Sequence, residues 1–587
     1  MKRIYTFLLL LCAAGIVKAA DVPTGCSGTL PVLFINTSEA ADVPACCTYE
    51  DGYYFAYFEN SQQWTEVGCY VWDDSYKTIA GSYKTIAGSW PGERCELVGT
   101  AANGNQIWRW KSHAPASELD APKHIIFKSN ENVSGIQTVN LTFTNGGYYT
   151  YSMQKDASPE VRITATGAVG KAVPIVSKEE YVAGTYYIDA LGLPGYESLG
   201  SEAEPLPLQI RGRGNYTWKD FDKKPYRLKF DKKASPLGMN KSKHFVLLAH
   251  ADDNMCFLRN TVGFELSRQL GLAYTPEQRP VEVVLNGDYI GLYMLNENIR
   301  VDADRVNITE QADEETLAEN ITGGWLLEID NYDDEAQVAF NEGNGEWIRF
   351  TYHSPEVLSD AQKNYLTTFL KAADNAIYNT NKQSTNWEYY IDMDALARFY
   401  IVQEVMDNAE SFHGSCYMHK DRGDNTKLVF GPVWDFGNSY HRGYNQFIYQ
   451  DSPFGMNWIG EIAKFPRFQT QVKNIWQPFL GDNYPSIDSY IDQFIDQIAD
   501  AAKCDAARWP RYGTTDPDGK KRNFKDAMRQ KVEFLRQQWG EGITGIDNIT
   551  TASSNSDTWY TLGGQRLNSK PNRRGVYLYN CKKVVIK

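Results

Sequence analysis

The chain has 587 residues, 42% of them apolar and 13% aromatic, which is enough for two or more domains with real cores and excludes a disordered protein. Formal net charge is −14, and −17 once Lys2, Arg3 and Lys18 are removed; so acidic a chain lacks the basic footprint of a nucleic-acid binder. Beyond the first twenty residues no apolar run approaches the length that spans a bilayer.

Met1-Lys2-Arg3 followed by apolar residues from Thr6 to Val17 reads as a signal peptide, and Val17-Lys18-Ala19 offers small residues for cleavage, so residues 1–19 are expected to be removed. A lipoprotein reading would use Cys12, but Leu11 before it is a poor fit to the small residue that lipidation prefers. The protein is therefore expected to be secreted, periplasmic or on the cell surface, with 20–50 as a leader segment. Nine cysteines follow position 19, none in C-x-x-C spacing, and the odd number leaves at least one thiol unpaired or intermolecular. Disulfides are expected within the first hundred residues, with their pairing not legible.

Residues 51–155 are short-stranded, aromatic and rich in turns, which predicts an all-β sandwich. Tyr70 and Trp72 are two apart on a strand, so their rings share a face. Flat rings stack on pyranoses while amides and cations bond the hydroxyls, making Tyr70, Trp72, Trp90 and Lys128, with Asn130 and Asn132, candidates for a sugar site. Core packing is the alternative for each ring, and the preferred one for Trp108 and Trp110. The blocks Tyr57-Phe58-Glu59-Asn60, Tyr70-Val71-Trp72, Trp90-Pro91-Gly92, His124 to Asn130, and Thr142-Phe143 with Gly146-Gly147-Tyr148 resemble the starch-binding modules of carbohydrate-binding family 26. That resemblance implies an α-glucan or a related polysaccharide as partner, bound through Tyr70 and Trp72. Between Trp72 and Trp90, Ser75-Tyr-Lys-Thr-Ile-Ala-Gly81 is copied at once as Ser82 to Gly88; a longer loop costs little closure entropy.

A larger domain is expected over 160–545. Leu206 to Ile210 enters the glycine-rich Arg211-Gly-Arg-Gly-Asn215, and Lys223-Lys-Pro-Tyr-Arg-Leu-Lys-Phe230 alternates so that Tyr226, Leu228 and Phe230 face one side and Arg227 and Lys229 the other. Such cations beside a glycine-rich turn suit a polyphosphate; a solvated cationic face is the plain alternative. Asp252-Asp253 precede Leu258-Arg259-Asn260, which opens a helix ending at Gly271. Val281 to Leu285, the Asn286-Gly287 turn and Tyr289 onward form a hairpin, whose end at Asn296-Glu297 is a candidate nucleotide hinge. Gly323 to Asp330 is a strand bearing Glu328 and Asp330. Leu396, Phe399, Tyr400, Gln403 and Met406 predict a helix running up to Asp407-Asn408, followed by a polar loop with Glu410, Ser411 and His413. A hairpin over Cys416 to Phe430 then delivers Asp435-Phe436-Gly437.

Helix, acidic loop, hairpin and Asp-Phe-Gly follow the order of the catalytic half of a protein kinase, with Asp407 as candidate base, Asp435 as magnesium ligand and Asn408 as a second metal contact. The Asn that kinases place five residues beyond the catalytic Asp is absent, Phe412 standing there. Six ordered blocks, Ile210 to Asn215 with Trp218, Lys223 to Lys229, Leu258-Arg-Asn260, Asn286 to Tyr293 with Glu297, Gly324 to Asp330, and Val433-Trp-Asp435, resemble the spore coat protein H (CotH) kinase family. The resemblance implies an α+β, atypical protein-kinase-like fold, ATP and Mg2+ as cofactors, and transfer of the γ-phosphate to protein Ser/Thr hydroxyls. It implies phosphate contacts among Lys224, Arg227, Lys229 and Arg259. Where such proteins carry Trp-Asp-x-Asp, Gly437 replaces the second acid and Asn438 follows it.

Phe465 to Gln537 reads as helices, and 546–587 as a linker with a short β-rich tail that resembles the carboxy-terminal extensions of exported Bacteroidetes proteins. The expectation is a multidomain protein: an exported kinase acting on a protein acceptor that the sequence does not identify and held to glycan by its first module. The alternatives are a catalytically silent surface adhesin or scaffold of the same fold, and a glycan-processing enzyme, for which no carboxylate pair stands out by spacing.

Overall fold

The computed structural model describes residues 22–541 and parts of 559–586, except 41–43, 45, 48–51, 73–91, 120, 130–136, 139, 151–159, 164–168, 442 and 451–456. The expected signal peptide, Trp90, Asn130 and Asn132 thus lie outside the described residues. The chain divides into two compact units: Met1–Arg211 with Pro236–Gly238 and Val281–Leu292, and Gly212–Ser235 with Met239–Pro280 and Tyr293–Lys587.

In the first unit the segment expected as a leader supplies strand β1 (Val32–Asn36) and the short β2 (Ser38–Ala40). Ten strands follow: β3 (Phe55–Asn60), β4 (Val67–Trp72), β5 (Glu93–Arg94), β6 (Glu96–Thr100), β7 (Gln106–Lys111), β8 (His124–Ser129), β9 (Leu141–Thr142), β10 (Gly147–Thr150), β11 (Glu160–Ile163) and β12 (Val169–Ala172). Together with β2 they form a seven-stranded sheet in the order β2-β12-β11-β10-β3-β7-β6 and a four-stranded sheet in the order β5-β4-β8-β9. Ala56, Phe58, Trp108, Trp110 and Tyr149 from the first sheet share one apolar core with Val67, Cys69, Val71, Ile125 and Phe127 from the second, alternate residues of each strand facing it. Trp108 and Trp110 are therefore core residues. The sheet also extends past residue 155, through β11 and β12.

A closed barrel has the strand order β1-β13-β14-β15-β16-β18-β17, with β13 (Val182–Asp189), β14 (Leu206–Gly212), β15 (Tyr226–Ala234), β16 (Ser242–Leu248), β17 (Gln278–Leu285) and β18 (Asp288–Glu297). β1 pairs antiparallel with β13 and parallel with β17. The hairpin turn has φ of 53° at Asn286 and 82° at Gly287, the two left-handed residues that a type I′ turn demands.

The second unit adds helices α1 (Tyr216–Asp220) and α2 (Leu258–Gln269), then a five-stranded sheet in the order β20-β21-β19-β22-β23, made of β19 (Trp325–Ile329), β20 (Val338–Asn341), β21 (Trp347–Ser354), β22 (Cys416–Lys420) and β23 (Val429–Phe430). α3 (Asp360–Ile377) and α4 (Met393–Val405) lie between β21 and β22 in sequence; α5 (Asn457–Ile462), α6 (Pro466–Pro478), α7 (Tyr484–Arg508) and α8 (Pro517–Trp539) follow. A four-stranded sheet at the end has the order β25-β24-β26-β27, from β24 (Trp559–Thr561), β25 (Arg566–Leu567), β26 (Gly575–Tyr579) and β27 (Lys582–Ile586). This is a mixed α+β architecture of a barrel, several sheets and carboxy-terminal helices. Among the described residues no helix is long and apolar enough to cross a membrane.

Candidate functional site

Within the second unit the Asp435-Phe436-Gly437 loop is held from two sides. The α2 residue Asn260 accepts a hydrogen bond from the Phe436 amide through Oδ1 at 2.7 Å, and its neighbour Arg259 donates Nη1 to the Gly437 carbonyl at 3.0 Å. Asn408, past the end of α4, donates Nδ2 to the Asp435 carbonyl at 3.0 Å. Phe436 is fully buried against Gly263, where a β-carbon would come within 2.4 Å of the ring. Asp435 thereby keeps a left-handed backbone (φ 54°) and an exposed side chain, a costly conformation for a non-glycine residue that such clamping sustains. The Leu-Arg-Asn block and the Asp-Phe-Gly block are thus two halves of one clamp.

A cavity of about 70 Å³ opens beside this loop, lined by Arg213, His250, Asp252, Arg259, Trp434 and Asp435 among others. It has room for a group the size of a phosphate. Arg213 rises from the glycine-rich turn, its guanidinium 5.8 Å from the Trp434 ring centroid. The Arg259 side chain is 2% exposed; its Nε lies 3.9 Å from Asp253 Oδ1 and, like His250 Nε2, is buried with no hydrogen-bond partner among the described residues. Buried donors left in this state are rare and are satisfied by a ligand or by water.

Around Asp435 gather three further acids whose charges act on one another. Burial pushes the Glu410 carboxyl up to about 7, and Asp435, Asp330 and Asp252 add to the rise against a hydrogen bond from Tyr332. Burial and then Asp435 push Asp252 up to about 6, while burial and then Glu328 push Asp330 up to about 6. Among the described residues no three of His, Cys, Asp and Glu converge closely enough to hold a metal ion alone. The donor set nevertheless fits Mg2+, which takes one or two carboxylates and completes its shell with phosphate oxygens and water.

The residues expected from sequence are distributed unevenly. Asp435 and Arg259 line the cavity. Arg227 is close enough to Arg213 to disfavour its charge and has a buried Nε without a partner among the described residues. Lys224 does not line the cavity; it donates Nζ to the Trp218 carbonyl at 2.6 Å. Lys229 is exposed on the outer side of β15. Glu297 is fully buried, accepting from Tyr274 Oη at 2.9 Å and the Glu277 amide at 3.0 Å, with Arg305 Nε 3.7 Å away.

Asp407 departs furthest from expectation. Lys531 of α8, fully buried, donates Nζ to Asp407 Oδ1 at 2.9 Å and stands 3.0 Å from Glu404 Oε2. Burial by itself would lower the Lys531 pKa, and the two carboxylates raise it above its ordinary value instead. A carboxylate committed to a buried ammonium is a poor proton acceptor. Asn408 holds the Asp435 backbone through Nδ2, while its Oδ1, the atom that could meet a metal, is buried with no hydrogen-bond partner among the described residues. The acids that do face Asp435 electrostatically are Glu410 and Asp252, with Asp330 acting on Glu410. Each lies in a segment legible as polar, but nothing local distinguishes it from its neighbours.

In the first unit Tyr70, Trp72 and Lys128 occupy the face of β4 and β8 opposite the shared core, because Gly68 pairs with Lys128 and Trp72 with His124. The Trp72 ring stacks on Tyr70 at 5.6 Å and on His124 at 5.2 Å. Trp72 is 9% exposed while Tyr70 is half-buried, so Tyr70 is the more open of the pair expected as a platform.

No curated protein matches the chain. The family described as CotH kinase protein matches residues 209–539, more than half of the chain and all the elements from β15 to α8 that build the clamp and its cavity. By this match the chain belongs to the CotH kinase family, whose general fold is atypical-kinase-like.

Proposed function

We propose that the protein is an exported atypical protein kinase that transfers the γ-phosphate of ATP to Ser/Thr hydroxyls of a protein acceptor. The observation that carries this reading is the cavity lined by Arg213, by Arg259 with its unpartnered Nε, and by Asp435, which puts cations for phosphate and a carboxylate for a metal ion around one space. Asp435 and Asp252 would hold Mg2+, which when bound neutralises charge developing on the phosphate oxygens. Arg213, Arg227 and Arg259 bind and orient the phosphates. Glu410, whose carboxyl is pushed up to about 7, takes the proton of the acceptor hydroxyl, a role for which a pKa near the working pH is favourable. Asp407 and Asn408 position that loop from behind.

The first unit would hold the enzyme to α-glucan or a related polysaccharide, with Tyr70 and Lys128 as contacts and Trp72 backing the Tyr70 ring; their place opposite the core supports this. Incubating the protein with γ-labelled ATP, Mg2+ and a protein extract should give labelled protein, and Asp435→Ala should abolish it. Equal label in both, or none with wild type while ATP and Mg2+ leave its melting midpoint unchanged, would refute the kinase reading and favour a silent surface protein.

A further inference from the structure

Cys69 and Cys95 stand at the two ends of the twenty-five-residue stretch that contains the tandem heptapeptide copy. Cys69 is on β4 and Cys95 directly follows β5. Gly68 pairs with Arg94 and Cys69 with Glu93, and the Cys95 amide donates to the Val67 carbonyl at 2.8 Å, so Cys95 sits opposite Val67. Side chains two apart on a strand share a face, which makes Cys69 and Cys95 diagonal neighbours on the core side of the four-stranded sheet. Both belong to the shared apolar core as free thiols, 0% and 3% exposed, near enough for the Cys95 thiol to raise the Cys69 pKa.

Cys46 and Cys47 do not compete for them. Cys46 and Cys47 pack with Phe55, Tyr57 and Ile107, residues that alternate with Ala56, Phe58 and Trp108 and therefore lie across the seven-stranded sheet from the core holding Cys69. We propose that Cys69 and Cys95 are joined by a disulfide that staples β4 to β5 and closes the duplicated stretch at its base.

The oxidant is another disulfide, of a small thiol or of an oxidoreductase. The thiolate of one cysteine attacks it and expels one thiolate, which takes up a proton; the thiolate of the second cysteine then displaces the other half from the mixed disulfide. Two protein thiols lose two electrons and two protons, and the oxidant becomes two thiols. Burial raises the Cys69 pKa well above its ordinary value, and the Cys95 thiol adds to the rise, so reactive thiolate is scarce once the sheets have closed. The bond therefore forms in the folding chain and resists reductant in the folded one. Its effect is to pin β4 to β5 at the foot of that stretch, whatever the stretch's length.

The test uses the full chain folded with oxidised and reduced glutathione, quenched by unfolding in N-ethylmaleimide, digested and analysed by mass spectrometry. The expected product is a linked pair of peptides containing Cys69 and Cys95 that disappears on reduction. Cys69 and Cys95 both carrying maleimide without prior reduction, or Cys69 linked to a different cysteine, overturns the proposal. Unfolding in the presence of reductant should lower the melting midpoint of wild type by several degrees and leave that of the Cys69→Ala, Cys95→Ala double variant unmoved; the same reductant-dependent shift in both would also overturn it.

Discussion

Glu410 lies three residues beyond Asp407, and the contrast between them shows what local pattern can and cannot convey. Helical periodicity pointed to the end of α4 and so to Asp407, but the cation that claims Asp407 is 124 residues away on α8, with no local signal. Glu410 was visible as part of a polar loop, and only the folded chain sets its charge against Asp435, Asp330 and Asp252. Glu410→Gln is expected to lower kcat by about 10²–10⁴, and the wild-type rate to climb with pH to a plateau above an apparent pKa near 7, the value to which Glu410 is pushed. A flat profile from pH 5 to 8 would count against it as the base. Gly263→Ala tests the clamp separately: with Phe436 Cε2 at 2.4 Å from the added carbon, overpacking should cost about 1–3 kcal/mol and misplace Asp435, read as a lower denaturation midpoint together with weaker ATP binding.

Among the elements, alternation in β15 and the hairpin before Asp435 were legible because both depend on neighbours in sequence. Tyr226, Leu228 and Phe230 are buried and Lys229 is exposed, as a period of two requires. What the outward cations meet depends on other segments, and so Lys224 is spent on Trp218 while Arg213, one step earlier in the chain, lines the cavity. α8 shows the same limit. Its apolar stripe marks a helix, yet the residue of consequence is Lys531, buried where a helix core normally takes an apolar side chain. Lys531→Met strands Glu404 and Asp407 without a counter-charge and is expected to cost about 3–5 kcal/mol in chemical denaturation, well above a surface lysine changed the same way.

For the molecule as a whole, the acids near Asp435 make stability depend on pH in a direction opposite to that of most carboxylates. Asp252 and Asp330 are pushed up to about 6 and Glu410 up to about 7, so the folded state retains protons that the unfolded chain releases near pH 4. Their contribution to stability therefore falls as pH rises from about 4 to 7. A divalent ion competes with the Asp252 proton, and Mg2+ should raise the melting midpoint more at pH 8 than at pH 5; an equal rise at both would remove Asp252 from the metal site. In the first unit Tyr70→Ala should weaken retardation by starch in affinity electrophoresis, whereas Phe34→Ala, on β1, should not. That two sheets would share a core was readable from alternating aromatics, but the part played by residues 32–36 was not, since four apolar residues and an asparagine say nothing of a partner 150 or 250 residues on. The same strand bears on how the protein can be dissected. A fragment begun at the family boundary near residue 209 would arrive missing two staves, β1 and β13, leaving β17 with a raw, hydrogen-bond-hungry edge; such material should clump, and coexpressing the absent amino-terminal piece should restore it to solution.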